Sequence, residues 1–324
     1  MTSGATARRR DDDVAGSAAA PGTTPATTSA TTPADTGSRH GPIAQLLIAW
    51  SPLSAILLAY WVAQWITAPL GTGDGASTNR VGAGLHVLGP ARADERLLGT
   101  VPSAWLQERL VDGGSHWYDA VAALVYVTHF VTIPLLTAVV WFAMRERFRD
   151  WLTAVLTMSL VGIAVYVLYP AAPPWLASQR GDIDTVDRIS HLGWEHLGLD
   201  AVGRLVELGQ GGSNPVAAMP SLHAGAALLT ALFLWPSVDR VLRAALLAYA
   251  VAMAATLVYS GEHYVVDVAA GWLVAGLGVL AARARRSPRG RTHGPQHDGY
   301  VRETNRRGRG PSVRRRRTDP GRRA

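Results

Sequence analysis

Long apolar runs in the middle of the chain restrict its fold more than any other feature. A transmembrane helix needs about 20 mainly apolar residues. Six runs in this 324-residue chain meet or approach that length: 43–70, 118–142, 151–169, 219–235, a run ending near 259, and 262–282. Helices are the only open structure whose backbone is satisfied in lipid. The sequence therefore predicts an all-α, polytopic membrane protein with a six-transmembrane-helix bundle, in which residues 118–282 form a five-helix core.

Both ends of the chain are polar. Residues 1–40 are mostly Ala, Thr, Ser, Pro and Gly, and residues 283–324 are rich in arginine, so both are predicted to be disordered tails. They lower the mean hydropathy to +0.11, although 48% of all residues are hydrophobic. The composition therefore indicates a membrane protein with polar tails, and not two soluble domains.

Residues 71–117 separate the first apolar run from the second and form a predicted outer loop. Pro102 is placed as in the first turn of a helix. Trp105, Leu106 and Leu110 would share one face of that helix. The segment fits either a short helix lying in the membrane interface or an ordinary extramembrane loop.

Arginines in the short connections predict how the bundle is oriented. If the spans alternate, residues 145–149, Arg240, Arg243 and both tails fall on one side, which the positive-inside rule makes cytoplasmic. A basic tail can bind nucleic acid, but beside a span it more often attracts anionic lipid. We therefore expect a plasma-membrane protein with cytoplasmic termini and no nucleic-acid partner. The long loop 170–218 and the segments 220–223 and 261–263 then lie at the outer face.

Two short motifs carry histidines and a carboxylate. Met-Pro-Ser-Leu-His-Ala-Gly occupies 219–225 and Gly-Glu-His-Tyr-Val-Val-Asp occupies 261–267. His263 and Asp267 are four apart on a predicted helix, where the carboxylate would fix the imidazole tautomer and make the other nitrogen more basic. His223 begins another helix, whose first N–H groups can face an anion. Phosphoryl transfer through a covalent intermediate needs two such histidines, one to attack phosphorus and one to protonate the leaving alcohol.

Other interpretations of these residues stay open. The two motif histidines with the carboxylate also resemble a metal site, but zinc usually takes three protein ligands with a supported second shell, and no fourth candidate is evident. We therefore expect no metal and no other cofactor. His129, in the second apolar run, is read as a helix-packing hydrogen bond in preference to a catalytic group.

The two motifs resemble the second and third signature motifs of the type 2 phosphatidic acid phosphatase superfamily. Ala-Pro-Pro-Trp at 172–175 and Pro-Ser-Leu-His at 220–223 resemble its inositol phosphorylceramide synthase-like, or inositolphosphotransferase, branch. The resemblance covers residues 118–282. It implies a helical core shared with vanadium haloperoxidases, metal-free catalysis and an active site at the outer face.

The resemblance also implies roles for the motif residues. His263 would be the nucleophile that forms a phosphohistidine, Asp267 its partner, and His223 the general acid. The chain departs from the family pattern at Leu257, six residues before His263, where the wider family has an arginine. It also lacks a first motif of the Lys-then-Arg-Pro kind.

A dianionic phosphoryl group needs compensating charge from somewhere else. Arg180 and Arg188 in the long outer loop, together with Ser221, are the candidates. The alternative is that both arginines are solvated loop residues. Tyr169 and Trp175 lie at the two ends of a stiff, proline-rich segment. We expect this segment to form a third wall of the substrate pocket.

These features predict a membrane phosphatase or phosphotransferase whose substrate is a lipid phosphate or a phospholipid. Inositol-phosphate transfer to a lipid acceptor is one form of that reaction. Hydrolysis and transfer share the first half-reaction, and the resemblance to the synthase branch favours transfer. The alternative is a non-enzymatic transporter or scaffold that keeps the fold. A transporter would tend to show an internal repeat with broken helices in both halves, and the sequence shows none.

Overall fold

The computed structural model describes residues 41–71 and 76–286, and within these ranges it has twelve α-helices and no named strand. The helices are α1 (Pro42–Trp50), α2 (Leu53–Gly71), α3 (Leu88–Leu98), α4 (Pro102–Leu110), α5 (Trp117–Ala143), α6 (Phe148–Leu168), α7 (Pro174–Gln179), α8 (Leu192–His196), α9 (Asp200–Gly211), α10 (Leu222–Leu234), α11 (Arg240–Tyr259) and α12 (Val265–Arg286). Most of both predicted tails, 1–40 and 287–324, lies outside the described residues. Residues 283–286, which we predicted to belong to the C-terminal tail, instead form the last turn of α12.

Contacts within the chain divide it into two units at Gln45. Of the first unit, the structure describes residues 41–45, which lead into and begin α1. The second unit starts at Leu46 and contains the remaining helices. Everything said below about packing and about the site concerns this second unit.

Five helical segments are long and apolar enough to cross a membrane: Pro42–Gly71, Trp117–Ala143, Arg145–Leu168, Arg240–Tyr259 and Val265–Arg286. They correspond to five of the six predicted spans. The remaining span, predicted at 219–235, is a shorter apolar segment, Leu222–Ser237. The prediction of an all-α, multi-pass membrane protein is therefore confirmed, with five long spans and one short apolar helix among the described residues.

The first predicted span is interrupted near Pro52, which separates α1 from α2. Proline has no N–H to donate, and its ring clashes with the carbonyl four residues earlier, here that of Ile48. The Ser51 hydroxyl donates to this carbonyl at 2.9 Å and satisfies it. The chain can therefore resume as α2 at Leu53 while it stays within one apolar run.

Helix α10 lies among α5, α6, α11 and α12. Its 13 residues extend about 20 Å, less than the ~30 Å of a bilayer core. The chain before it, residues 214–221, is buried or half-buried and not helical. Irregular backbone is tolerated at membrane depth where protein encloses it, so a full-length helix is not required here.

Glycines let α10 and α12 cross in close contact. A Cβ atom at Gly271 would lie 2.1 Å from the Ser221 carbonyl oxygen, and one at Gly225 would lie 2.9 Å from the Gly271 carbonyl oxygen. Small residues allow helix backbones to approach in this way. The Ser221 N–H also donates to the Asp267 carbonyl at 2.9 Å. The starts of the two helices are thus joined backbone to backbone.

Replacing Gly271 with alanine is expected to lower the free energy of unfolding by about 1–3 kcal/mol, because overpacking against rigid backbone forces the helices apart. Gly276→Ala is the matched control: it lies on the same helix, and a Cβ there would have no atom within 4 Å. Thermal unfolding in detergent measures both. Equal effects of the two substitutions would contradict the close crossing.

The segment 71–117 contains two helices, α3 and α4, where a loop with one possible interfacial helix was expected. Helix α4 packs on α11 through Gln107, whose side-chain amide donates to the carbonyls of Tyr259 at 2.8 Å and Asp187 at 2.9 Å. Trp105 and Leu110 are exposed, whereas Leu106 packs against the core. The three side chains predicted to share one face of this helix therefore point in two directions: Leu106 to the core, and Trp105 and Leu110 to the surface.

The two ends of the bundle differ in chemistry. At one end, Arg285 and Arg286 of α12 bind Asp150 at the start of α6, and Arg147 donates to the Phe233 carbonyl at the end of α10. The motif histidines lie at the starts of α10 and α12, so they occupy the opposite end. The arginine-bearing connections and the two motifs are thus separated by the length of the bundle.

Candidate active site

A cavity of about 460 Å³ brings the two motifs together, and we call it the histidine cavity. His223 and His263 line it beside Glu262, Arg188 and Trp175. The other lining residues come from α2, α5 and α6 and from the segment 173–222; those of the three helices are mostly apolar or aromatic, among them Ile56, Leu57, Tyr60, Tyr126, Phe130, Ile163 and Tyr166. An apolar pocket with a few convergent polar groups is typical of a ligand-binding site.

His223 is positioned by the structure at the start of α10. Ser221 caps this helix, and its hydroxyl oxygen accepts from the Ala224 N–H at 3.3 Å. The Tyr166 hydroxyl donates to the Pro220 carbonyl at 2.9 Å and holds the preceding residue. The ring of His223 stacks on that of Tyr126 with centroids 5.8 Å apart. Both the backbone and the ring are therefore fixed where the cavity begins.

His263 lies in the turn between α11 and α12, and not on the helix where we predicted it. Gly261 adopts a left-handed conformation with φ of +74° and ends α11, and a Cβ atom there would lie 2.6 Å from the Asp187 carbonyl oxygen. The N–H groups of Glu262 and His263 both donate to the carbonyl of Leu257, at 3.1 and 3.2 Å. Helix α12 begins only at Val265.

Asp267 nevertheless faces His263 as predicted, because the turn brings the histidine back over the first turn of α12. His263 Nδ1 and Asp267 Oδ2 are 3.7 Å apart, and both side chains are almost fully buried. The same Oδ2 accepts from the Tyr264 N–H at 2.9 Å. Among the described residues, His263 Nδ1 and Asp267 Oδ1 have no hydrogen-bond partner. Contacts of this kind often tighten when substrate binds.

Three histidines stand in a row in the cavity. The ring centroids of His223 and His263 are 5.6 Å apart, and those of His129 and His223 are 3.8 Å apart. His129 was read from the sequence as a packing residue, and it does pack, but against the predicted general acid. Within the described part of the chain, no group of three or more His, Asp or Glu side chains is arranged to hold a metal ion.

Arg188 enters the cavity wall through a bidentate ion pair. Its Nε and Nη2 donate to Glu262 at 2.8 and 2.9 Å, and its guanidinium carbon lies 5.2 Å from the centre of the Trp175 ring. Gln210 donates to the same carboxylate at 3.0 Å and to the Ser190 hydroxyl at 2.6 Å. Glu262 therefore orients Arg188 beside His263, and the remaining guanidinium N–H groups stay available to a ligand.

The other predicted substrate-binding residues lie elsewhere. The side chain of Arg180 is 51% exposed and pairs with Asp182 at 3.6 Å, away from the residues that line the histidine cavity. Tyr169 stacks on His86 with centroids 3.7 Å apart, also outside that lining. Ser221 is fully buried as a helix cap. Of the five predicted residues, Trp175 and Arg188 are those whose side chains reach the cavity.

Asp94, from α3, holds the start of α12. Its carboxylate is fully buried and accepts from the N–H groups of Val265 at 2.8 Å and Val266 at 3.0 Å. The first N–H groups of a helix lack partners within it, so a carboxylate supplied by a distant helix replaces the usual cap. Burial raises the pKa of Asp94 above its ordinary value, and the two N–H groups partly oppose that rise.

Asp94→Ala is expected to reduce the free energy of unfolding by about 1–3 kcal/mol, because it leaves two buried N–H groups without an acceptor. Asp94→Asn keeps one acceptor oxygen and should lose less. Glu95→Ala changes an exposed neighbour on the same helix and serves as the control. Thermal unfolding ranks the stabilities of the three variants. Faster amide hydrogen exchange at Val265 and Val266, in Asp94→Ala only, would show that the loss of stability arises at the start of α12. An unchanged exchange rate there would contradict the capping role.

Sequence reasoning assigned no role to two polar residues that complete the cavity wall, Glu262 and Gln210. Glu262 lies inside the motif at 261–267, next to His263. A carboxylate at the start of an apolar run is itself a signal of function. Gln210 gave no such signal, because it lies in a long loop among glycines. Its contact with Glu262 depends on how that loop folds back over the bundle.

Comparison with known proteins identifies the family. Residues 92–281 match the model of the PAP2 superfamily, which is more than half of the chain. The chain belongs to the PAP2 superfamily. The matched residues include both motifs, the helices α5, α6, α10 and α11, and most of α12 of this PAP2 protein, so the resemblance inferred from the motifs is confirmed.

One curated relative is informative about the branch. This PAP2 protein is 28% identical over 191 residues to the phosphoinositol dihydroceramide synthase of Bacteroides thetaiotaomicron. The alignment covers 53% of this chain and 61% of the relative, so the chain spans less than two thirds of the relative's length. No solved structure gives a significant match. The relative agrees with the branch that Ala-Pro-Pro-Trp and Pro-Ser-Leu-His indicated.

Proposed function

We propose that this protein is a membrane phosphotransferase that moves the phosphoryl headgroup of a phospholipid to a lipid alcohol through a phosphohistidine at His263. The observation that carries the proposal is that His223 and His263 face one cavity with their rings 5.6 Å apart, with Asp267 behind His263. A nucleophile supported by a carboxylate and a second histidine within reach is the minimum set for this chemistry.

In the first half-reaction, His263 Nε2 attacks phosphorus while Asp267 faces Nδ1 and stabilises the positive charge that develops on the ring. The N–P bond forms and the bond from phosphorus to the lipid oxygen breaks. His223 gives its proton to that oxygen, so a neutral lipid alcohol leaves. In the second half-reaction His223 takes the proton of the acceptor hydroxyl, whose oxygen attacks phosphorus and releases His263.

Arg188 supplies the positive charge that Leu257 does not. It lines the cavity beside His263, and its orientation is set by Glu262. A guanidinium suits this role because it binds phosphoryl oxygens through several N–H groups in one plane. Glu262 offsets part of its charge in the absence of ligand, which makes a partly buried arginine tolerable.

Transfer is favoured over hydrolysis by the kind of cavity and by the relative. Much of the lining is apolar, so it suits a lipid acceptor. The name of the relative, phosphoinositol dihydroceramide synthase, describes an enzyme that joins a phosphoinositol group to dihydroceramide. We therefore propose phosphatidylinositol as the first donor to test, and an alcohol of the ceramide or diacylglycerol kind as the acceptor.

The site belongs, in this proposal, to the outer face of the plasma membrane. The arginine-bearing connections gather at the end of the bundle opposite the two motifs, and arginines in short connections favour the cytoplasm. Donor and acceptor lipids are then drawn from the outer leaflet. Site-specific labelling of single cysteines introduced at Arg180 and Arg243 tests the orientation, because the native chain has no cysteine.

The deciding experiment uses the purified protein in liposomes with labelled phosphatidylinositol, with and without ceramide. We expect a new phospholipid that carries the labelled headgroup and appears only when the acceptor is present. Phosphatidic acid under the same conditions measures phosphatase activity. Folded protein that gives neither a new phospholipid nor free phosphate would refute the proposed function and favour the transporter or scaffold alternative.

Arg188→Ala is expected to lower kcat/KM by about 100-fold, in the range found when one charge-stabilising donor is removed. Arg180→Ala should stay within about twofold, since exposed substitutions rarely change stability or activity much. The removal of Arg188 also leaves Glu262 unpaired, so Arg188→Lys, which keeps a charge but not the planar fork, is measured beside it. An equal loss in the two alanine variants would contradict the assignment.

A further inference from the structure

The histidine cavity reaches the outside of the bundle between α2 and α5. Leu57 on α2 is 71% exposed and Phe130 on α5 is 53% exposed, yet both line the same cavity as His223 and His263. Side chains that line a cavity and are also exposed mark the place where it opens. We call this opening the α2–α5 cleft, formed by Ile56, Leu57 and Tyr60 on one side and Phe130 on the other, with Ile163 at its back.

One polar contact of α1 and one of α2 lie at the two ends of the cleft. Toward the arginine-bearing end, Trp50 Nε1 donates to the Pro134 carbonyl of α5 at 3.0 Å. Toward the motif end, Gln64 Nε2 donates to the Gly212 carbonyl at 2.8 Å. Between these points α2 packs on α6 through Ala63, Ile163 and Tyr166, and Ile56 also packs against the core cluster that contains Leu136 and Val140 of α5. The opening thus has a polar contact toward each end of the bundle and α6 at its back.

The chemistry of the cleft fits a hydrocarbon chain. Its outer walls are the apolar side chains of Ile56, Leu57 and Phe130. Both α2 and α5 belong to segments able to span the membrane, so the cleft faces bilayer hydrocarbon. Arg188 and Glu262 lie beside the histidines, and Ser213 and Asn214 line the cavity near α2. A lipid with a charged head and an apolar tail therefore matches the polar groups by its head and the outer walls by its tail.

We propose that the α2–α5 cleft holds a hydrocarbon chain of the lipid substrate while its phosphorus lies between His223 and His263. Between Tyr126, beside the histidines, and Pro134, at the closed end, α5 advances about 12 Å, which sets the length of chain that is enclosed. The rest of the chain stays in the bilayer. This inference rests on the proposed function, because it names how the substrate of that same site is held.

Filling the cleft should distinguish long-chain from short-chain substrates. Leu57→Trp should lower kcat/KM at least about tenfold for dioleoyl phosphatidylinositol, since the larger side chain takes the space that the acyl chain needs and overpacking is costly. With dihexanoyl phosphatidylinositol the same variant should stay within about twofold of wild type. Leu58→Trp is the matched control, because Leu58 is the next residue on α2, is 63% exposed and does not line the cavity. An equal loss on both substrates, or a Leu57→Trp variant that behaves like Leu58→Trp, would overturn the proposal.

A photolabelling measurement tests whether an acyl chain occupies the cleft, and it does not depend on turnover. Dioleoyl phosphatidic acid with a diazirine in one acyl chain is photolysed with the wild-type protein in liposomes. We expect label on Leu57 and Phe130 in excess of label on Leu58, and its loss when unlabelled phosphatidic acid is added. Equal labelling of Leu57 and Leu58, or labelling that no lipid displaces, would mean ordinary surrounding lipid or another occupant and would overturn the cleft. If wild type turns over no substrate, the proposed function fails, and the labelling still gives its own answer.

Discussion

His263→Asn is expected to lower turnover at least about 100-fold, the size of effect that nucleophilic and acid–base groups usually supply. Asparagine keeps a polar group near the position of Nδ1, facing Asp267, but removes Nε2, the nitrogen that would attack phosphorus. The variant should therefore fold and bind substrate while forming no covalent intermediate. Rapid quenching in denaturant at alkaline pH preserves the acid-labile phosphoenzyme, and phosphatidylinositol labelled in its headgroup then measures it directly.

His196→Asn is the control for this measurement, because His196 is an exposed histidine in α8 that does not line the histidine cavity. It should keep both turnover and the phosphoenzyme. Label retained in His263→Asn would show that another group is the nucleophile. Its neighbour in the row, His223, would then be the first to examine.

His223→Gln should produce a loss of similar size, at least about 100-fold, with a phospholipid donor, because an alkoxide is a poor leaving group without a proton. The loss should be much smaller for a donor whose leaving group is 4-nitrophenol, which departs without protonation. Steady-state rates on the two donors separate the general acid from a residue that only shapes the cavity. His263→Asn is the comparison, since a missing nucleophile affects both donors alike.

An equal loss of His223→Gln on both donors would contradict the general-acid role. It would instead fit a structural role, since the ring of His223 packs between His129 and Tyr126. Tyr126→Phe keeps that packing surface and removes only the hydroxyl, which accepts from Gln210 at 3.1 Å. It should therefore keep the ratio of the rates on the two donors at its wild-type value, whereas His223→Gln changes that ratio.

The sequence predicted the spans and the two motifs because both are local patterns. An apolar run long enough to cross a membrane has few alternatives to a helix. The pairing of His263 with Asp267 was also predicted, although for an incomplete reason. We expected one helix face, whereas Gly261 ends α11 and places His263 in a turn. The two side chains still face each other, because the turn places His263 over the first helical turn of α12, which carries Asp267.

Features that depend on distant contacts were not predictable. Arg180 and Arg188 have similar neighbours in the sequence, and only the fold separates an exposed arginine from one held by Glu262 in the cavity. Asp94 lies 171 residues from Val265, so nothing local connects it with the start of α12. His129 likewise meets His223 only when α5 packs on α10.

The bond from the Ser221 N–H to the Asp267 carbonyl has a consequence for how such an enzyme can diverge. The two motifs are tied through main-chain atoms and a glycine crossing, so their separation depends little on which side chains surround them. Many of the side chains that line the cavity come from α2, α5, α6 and the loop between α6 and α10, which take no part in that tie. Apart from Arg188 and the side chains that contact the histidines, these positions can change without changing the backbone distance between the two motifs. In the proposed enzyme, a new lipid preference can therefore evolve without rebuilding the histidine pair.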